Sequence, residues 1–378
     1  MTSGSVPQAR GPAGSPSSTR KPWLDWQRGL AVLFMVEVHV LDAWRAPTAG
    51  GEGLADVLRF VGGLAAPGFL YLAGVAVAFA DAAGARHGVP PAQRRSRLIR
   101  RAAWLLAVAV GLRTLEVLAA ALVQGAVPWS ELVRIDILHV IALSLALAAW
   151  LGVGRGANGR VGPLLAGAAA VLVVGITPPV AAWLSTLALP GAAAPGSATV
   201  LARAADLALA VLGGRPPRAT FCLLGWSAFL LAGAALGPLA VGRARPLAWL
   251  SLGAGLAAAG LFGAHGLPVA WWGADFWLTS PAWFAARLGL CAALTGAVQL
   301  VPAALEPPLR PLALLGRRSL LAYVASVELT YGGVAAPLRG RLGTAGTLAG
   351  IAGMTALTWA LVAGWDAWTR RAERPGGS

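Results

Sequence analysis

Long apolar stretches recur along the whole chain and alternate with short segments rich in arginine, glycine and proline. A helix needs about 20 consecutive apolar residues to cross the hydrocarbon core of a bilayer. Ten stretches approach this length, and we predict a membrane-spanning helix in each of them. Their predicted bounds are 29–47, 60–82, 102–124, 134–153, 161–188, 220–241, 246–265, 284–305, 318–337 and 343–366. The predicted fold is an all-α, polytopic transmembrane bundle.

The fifth predicted helix contains two adjacent prolines, Pro178 and Pro179. Proline removes a backbone donor and clashes with the preceding turn of a helix. We therefore expect this helix to break there and to continue as a re-entrant or interfacial piece.

Composition supports the membrane assignment. Of the 378 residues, 57% are hydrophobic and only 12% are charged, whereas an average soluble domain is about 25% charged. This excludes a soluble globular enzyme, because much of any folded surface must face water. It also excludes disorder outside the termini. The two cysteines, Cys222 and Cys291, lie inside apolar stretches, and we expect both to be small buried residues.

The distribution of basic residues predicts the orientation. If the N-terminus is cytoplasmic, 20 basic residues lie on the cytoplasmic side and nine on the other. Cytoplasmic segments of membrane proteins carry the excess of Lys and Arg, so we predict that both termini are cytoplasmic. We expect the protein to lie in the plasma (inner) membrane. Residues 1–22 and 369–378 are then polar tails around a membrane domain at 23–368. Although the net charge is +15, the arginines are dispersed, and we expect no nucleic-acid partner.

Several ionisable residues fall inside the predicted first helix. Arg28 begins it, and His39 follows eleven residues later, which is about 16 Å deeper at 1.5 Å per residue. His39 would then lie near the bilayer midplane. Asp42 shares its helix face and could orient the imidazole, whereas Glu37 points to roughly the opposite side. A buried charge is costly, so these residues either form a polar contact between helices or carry function.

Other spans also contain polar residues. Arg113 and Glu116 stand three apart and are expected to pair, either as a structural ion pair or as a substrate contact. His139 lies one turn into the fourth helix, where it either caps or bridges helices or faces the same cavity as His39. The candidate substrate-lining residues are Glu37, Arg113, Glu116, His139, Tyr323, Ser326 and Glu328.

A cytoplasmic loop is predicted between the second and third helices, and it is rich in arginine. Arg100 and Arg101 close this segment. Membrane orientation explains most of its charge, but anionic lipid headgroups or an anionic cosubstrate would also bind there. No metal-ligand motif occurs in the sequence, so we expect no metal.

Arg28 and His39 stand within LDWQRGLAVLFMVEVH, and later segments are APGFLYLAGVAVAFA, RIDILHVIALSL, FCLLGWSAFLLAGAALG and LGRRSLLAYV. In this order they resemble the membrane acyltransferase superfamily, most closely the heparan-α-glucosaminide N-acetyltransferase-like proteins and also the acyltransferase-3 proteins. The resemblance implies transfer of an acyl group, usually acetyl, from cytoplasmic acyl-CoA to a glycan or another acceptor. Related proteins often carry a histidine where this chain has Ser326.

The resemblance assigns the motif arginine and histidine to Arg28 and His39. In the implied chemistry, Arg28 and the cytoplasmic arginines, including Arg100 and Arg101, bind the CoA phosphates. His39 acts as general base with Asp42 orienting it, or accepts the acyl group itself. The sequence does not choose between these two modes.

Two other functions remain open from the sequence. The same buried charges would suit a proton-coupled transporter or flippase, and the broken fifth helix favours that alternative. A non-enzymatic membrane partner of a cell-envelope assembly is the third. The abundant small residues allow close helix packing within one chain or in a homo-oligomer, so the oligomeric state stays open as well.

Overall fold

The computed structural model describes residues 21–124, 134–152, 161–186, 208–209, 211–212, 221–241, 246–266 and 279–373. These residues form α-helices and short 3₁₀ helices, and the described part contains no β-strand. The α-helices are α1 Pro22–Trp44, α2 Glu52–Gly62, α3 Ala65–Arg86, α4 Pro91–Gln124, α5 Ile137–Trp150, α6 Val161–Thr186, α7 Leu223–Val241, α8 Pro246–Gly266, α9 Pro281–Gln299, α10 Arg310–Arg317, α11 Ser319–Tyr331 and α12 Thr344–Ala372. The 3₁₀ helices are Ala303–Leu305 and Gly333–Leu338.

Seven segments of the described chain are long and apolar enough to cross a membrane. They comprise α2 together with α3, and α4, α6, α7, α8, α9 and α12. The protein is therefore a multi-pass membrane protein. Three of the predicted spans are not among these seven. Helix α1 carries four charged residues over 23 positions, and α5 and α11 have only 14 and 13 residues. The ten-span count and the cytoplasmic termini stay predictions.

The fifth predicted helix is continuous. Helix α6 runs from Val161 to Thr186 through both Pro178 and Pro179, so the predicted break is wrong. Proline has a helical φ and removes only its own donor, and membrane helices accept this loss where the freed carbonyls find other partners.

Two other boundaries differ from the prediction. Helix α1 starts at Pro22 rather than near residue 29, because proline suits the first position of a helix even when charged residues follow. The predicted arginine-rich loop is mostly helical, since α3 extends to Arg86 and α4 begins at Pro91. Arg100 and Arg101 therefore lie in the third turn of α4 and are exposed.

Helix α1 lies at the centre of the bundle and packs against α2, α3, α9, α10, α11 and α12. Its contact with α10 depends on small residues: a Cβ added at Gly316 would lie 1.8 Å from the Asp25 carbonyl oxygen. Membrane helices use such residues to bring their backbones close together. This contact fixes α10 beside the first turns of α1.

Buried hydrogen bonds hold α1 to α9 and α3. The Gln27 side-chain amide donates to the Cys291 carbonyl at 2.9 Å and accepts from the Thr295 hydroxyl at 3.0 Å. Thr295 also lies 3.2 Å from the Tyr71 hydroxyl. Both cysteines, Cys222 and Cys291, are free and buried as predicted. The network fixes α1 in depth and rotation.

Candidate active site

Four helices contribute polar side chains to one region of the bundle. Helix α4 carries Arg113 and Glu116, the segment before α5 carries Asp136, and α11 packs directly on α1. The Tyr323 side chain on α11 lies close enough to interact electrostatically with Asp136, Arg113 and Glu116. Helix α11 therefore packs on α1, and its Tyr323 side chain also comes near the charged residues of α4 and α5.

The charged residues form a buried ion network. Arg113 donates to Glu116 on its own helix, as their spacing predicts. Its second guanidinium nitrogen lies 3.3 Å from the Asp136 carboxylate. Only 6% of the Arg113 side chain is exposed, so two carboxylates compensate a cation that is almost completely removed from solvent.

Asp136 also binds His139, and local sequence explains why. Asp136 is the N-cap of α5, and its carboxylate accepts from the backbone N–H of Leu138 at 2.9 Å. The His139 Nδ1 atom lies 2.9 Å from the same carboxylate oxygen. The Asp136 backbone N–H lies 3.4 Å from this nitrogen, and together with the His139 backbone N–H donating to Asp136 it completes a capping box. Because Nδ1 is engaged, Nε2 is the ring nitrogen left for a substrate or a proton.

The three predicted α11 residues differ in their surroundings. Tyr323 is half-buried and lies near the ion network. Glu328 is exposed and interacts electrostatically with Glu116 and Arg113. Ser326 is fully buried, and its hydroxyl donates to the Tyr323 carbonyl at 3.0 Å. The structure thus brings Tyr323 and Glu328 to the network, whereas Ser326 is bound within its own helix.

His39 contacts the C-terminal end of α11. Its half-buried ring contacts the Tyr331 ring in an edge-on geometry, with the centroids 5.5 Å apart. Its Nδ1 atom is buried without a hydrogen-bond partner. On the same helix, Glu37 is buried and its Oε1 atom also lacks a partner. These unsatisfied polar atoms are unusual in a folded protein and often mark functional sites.

The structure does not join His39 to Asp42 by the predicted contact. Among the described residues, no hydrogen bond or ion pair joins the two side chains. Asp42 is exposed and interacts electrostatically with Arg59 of α2 and with Tyr331. A spacing of three residues puts both Cβ atoms on one face, but it does not turn the short aspartate side chain toward the ring.

The predicted phosphate-binding arginines lie on two helices. Arg28 is half-buried in the second turn of α1, and Arg100 and Arg101 are exposed on α4. Within the described ranges, α4 packs chiefly on α5 and to a lesser extent on α3, not extensively on α1.

Sequence reasoning missed two residues of this region. Two signals in the sequence point to Asp136. It stands three residues before His139, the same spacing as between His39 and Asp42, and it directly precedes an apolar helix, where an aspartate is a favoured N-cap. Tyr331 gave no comparable signal, because its contact with His39 depends on how α11 packs against α1.

The family model described as heparan-alpha-glucosaminide N-acetyltransferase, catalytic, matches residues 20–269. This range covers about two thirds of the chain and includes His39, the ion network and Asp136–His139. The chain belongs to this family. Membership in the heparan-alpha-glucosaminide N-acetyltransferase catalytic family implies a membrane acetyltransferase. Helices α9 to α12, and with them the segment LGRRSLLAYV, lie beyond the matched range. A search of curated proteins gives no significant match.

Proposed function

We propose that this protein transfers an acyl group, acetyl in the first instance, from cytoplasmic acyl-CoA to a glycan or another acceptor of the cell envelope. The proposal rests on the combination of two observations. The chain belongs to the acetyltransferase family, and buried ionisable residues of α1, α4 and α5 lie near α11. Ionisable groups inside a membrane are costly and usually functional. We also propose that the protein resides in the plasma (inner) membrane with both termini in the cytoplasm, as the distribution of basic residues predicts.

In this proposal the donor enters from the end of the bundle where α1 begins. Arg28, with Arg100 and Arg101 on α4, binds the phosphates of CoA, because a guanidinium matches two phosphate oxygens at once. His39 is eleven residues further along α1, or about 16 Å by helical rise. The extended thiol arm of CoA would bring the thioester toward His39.

His39 handles the acyl transfer. As a general base, His39 accepts the proton of the acceptor amine or hydroxyl. The acceptor nitrogen or oxygen then attacks the thioester carbonyl and expels CoA as the thiolate. As a nucleophile it first displaces CoA to form an acyl-imidazole, which the acceptor then attacks. The unpartnered Nδ1 atom of His39 suits both modes. Asp42 has no orienting role in this scheme.

The acceptor side is assigned to the polar residues around α11. Glu37 lies two residues before His39, and Tyr323, Glu328, Arg113 and Glu116 interact across α4 and α11. His139 adds a second imidazole held by Asp136. The Ser326 hydroxyl already donates to the Tyr323 carbonyl, so it would join this site as an acceptor. A sugar hydroxyl or amine is the kind of group that such donors and acceptors bind.

Acetyl transfer by purified protein tests the proposal. Detergent-solubilised wild type would be incubated with radiolabelled acetyl-CoA and glucosamine as an amine acceptor, and acetylated sugar would be quantified. Replacing a general base costs about 10²–10⁴ in rate, so His39→Ala should lose most of the transfer. His87→Ala, which changes an exposed histidine after α3, is the matched control and should retain it. Equal transfer by His39→Ala and wild type would remove His39 from the mechanism.

A proton-coupled transporter or flippase is the second candidate. The buried chain of ionisable contacts Glu116–Arg113–Asp136–His139 favours it, because membrane proton relays use such groups. The continuous α6 removes the broken helix as an argument for this function. Substrate flux into proteoliposomes that lack acyl-CoA would support transport, and acetyl transfer without flux would support the enzyme.

A further inference from the structure

Helix α10 is short and amphipathic, and it lies against the first turns of α1. Its residues Ala313, Leu315 and Gly316 are buried, and Gly316 approaches the Asp25 backbone. Arg310 and Arg317 are exposed at its two ends. They are seven residues apart, which is close to two helical turns, so both project from one face.

These two arginines line two neighbouring clefts. The larger cleft has a volume of about 520 Å³ and the smaller about 270 Å³. Arg310 and Arg317 are shared by both. The larger is also lined by Pro311, Leu314, Trp359 and Arg370, and the smaller by Pro22, Trp26, Ala303, Glu306, Pro307 and Ala313.

The clefts carry an excess of positive charge, with three arginines and one carboxylate, Glu306, among their lining residues. Asp366 of α12 is the nearby carboxylate with bound cations, and it accepts from Arg370 at 2.8 Å and from Arg318 at 3.0 Å. In the part of the chain that the structure describes, neither Arg310 nor Arg317 forms an ion pair. Two guanidinium groups on one face are therefore without an ion pair, and the Glu306 carboxylate in the smaller cleft binds neither of them.

The position of the clefts indicates where along the membrane normal a ligand would bind. They lie at the end of the bundle where α1 begins and α12 ends, which is the predicted cytoplasmic side. Trp359 lines the larger cleft, and tryptophan is enriched at the boundary between membrane and water. A ligand there can have an apolar portion in the cleft and an anionic portion on the arginines.

We propose that Arg310 and Arg317 form a phosphate-binding site. Guanidinium groups bind phosphate through paired, charge-assisted hydrogen bonds. The phosphate would come from the headgroup of an anionic phospholipid or from a CoA molecule. Only the second source rests on the proposed acetyl transfer, and both sources share the phosphate chemistry. The site lies outside the family-matched range.

Two binding measurements on purified full-length protein test the site without any turnover. Native mass spectrometry would measure retention of phosphatidylglycerol against phosphatidylcholine, and equilibrium dialysis would measure radiolabelled free CoA. The test variant is Arg310→Ala with Arg317→Ala. The matched control is Arg97→Ala with Arg371→Ala, which removes two exposed arginines that line neither cleft.

The alanine double variant should bind at least one of the two probes with an affinity lowered about tenfold or more, because it loses charge-assisted bonds from two guanidinium groups. The control should bind as wild type does. Loss of phosphatidylglycerol alone identifies a lipid site, loss of CoA alone a CoA site, and loss of both a general phosphate site. Unchanged binding of both probes would overturn the proposal.

A second variant guards against loss of folding. Arg310→Lys with Arg317→Lys keeps both charges but cannot form the planar, two-pronged contact. It should weaken binding less than the alanine pair and more than the control. Because neither assay involves acetyl transfer, failure of the proposed enzyme activity would leave these results interpretable.

Discussion

His39 and His139 show two different outcomes of the same local spacing. Each histidine has an aspartate three positions away: Asp42 follows His39, and Asp136 precedes His139. His139 is 2.9 Å from its aspartate, whereas His39 packs against Tyr331 and has a buried nitrogen without a partner. Spacing alone therefore does not establish a histidine–carboxylate pair.

The difference lies in where each aspartate stands on its helix. Asp136 is an N-cap, so the free N–H groups of the first turn of α5 hold its carboxylate beside the ring. Arg113 fixes the same carboxylate from α4. Asp42 lies in the last turn of α1, where no free N–H groups remain, and it is exposed near Arg59. A pair predicted from spacing should therefore also have a helix end or a second cation to orient the acid.

Replacing Asp136 should have the largest effect on stability. Asp136→Ala removes a helix cap and one carboxylate from a buried arginine, and breaking a buried ion pair costs about 3–5 kcal/mol. The measurement is the free energy of unfolding in mixed micelles. Asp136→Asn, which keeps an acceptor for the cap, should lose less. A loss below about 1 kcal/mol for Asp136→Ala, the size of a cap alone, would contradict the network.

Glu116→Gln should have a smaller effect in the same assay. It removes one of the two carboxylates that bind Arg113, and Glu116 is 29% exposed, so we expect a loss of about 1–2 kcal/mol. Glu373→Gln changes an exposed glutamate at the end of α12 and is the control. Equal stability of the two variants would show that Asp136 alone compensates Arg113.

Tyr331 tests the surroundings of His39. Tyr331→Ala removes the edge-on ring contact, which is worth about 0.5–1.5 kcal/mol for aromatic pairs, and Tyr331 is 43% exposed. We expect a loss near the lower end of that range. Tyr331→Phe keeps the ring and should match wild type in unfolding free energy. If Tyr331→Phe instead lost as much unfolding free energy as Tyr331→Ala, the hydroxyl and not the ring would hold His39.

Asp42 should have the smallest effect. Its side chain is exposed and makes no hydrogen bond among the described residues, so Asp42→Ala should change the unfolding free energy by less than about 0.5 kcal/mol. Acetyl transfer by this variant should also match wild type. If Asp42→Ala abolished transfer while leaving stability unchanged, the carboxylate would have a catalytic role that its position does not suggest.

The sequence predicted features that depend on composition and local periodicity. These include the multi-pass helical fold, the Arg113–Glu116 pair, the buried cysteines and the family. It failed where tertiary packing decides. Helix α6 continues through two prolines, which membrane helices tolerate more often than the sequence rule for proline suggests. The His39–Tyr331 contact requires α11 to pack on α1, and no sequence spacing encodes that approach.

The most direct test of the account is acetyl transfer to glucosamine by wild type, His39→Ala and His139→Ala, each first shown to be folded. The account predicts that wild type transfers label from acetyl-CoA and that His39→Ala loses about 10²-fold or more in rate. His139→Ala should lose less, because His139 is placed on the acceptor side. Full activity of His39→Ala, or no transfer by folded wild type to any amine or hydroxyl acceptor, would contradict the account.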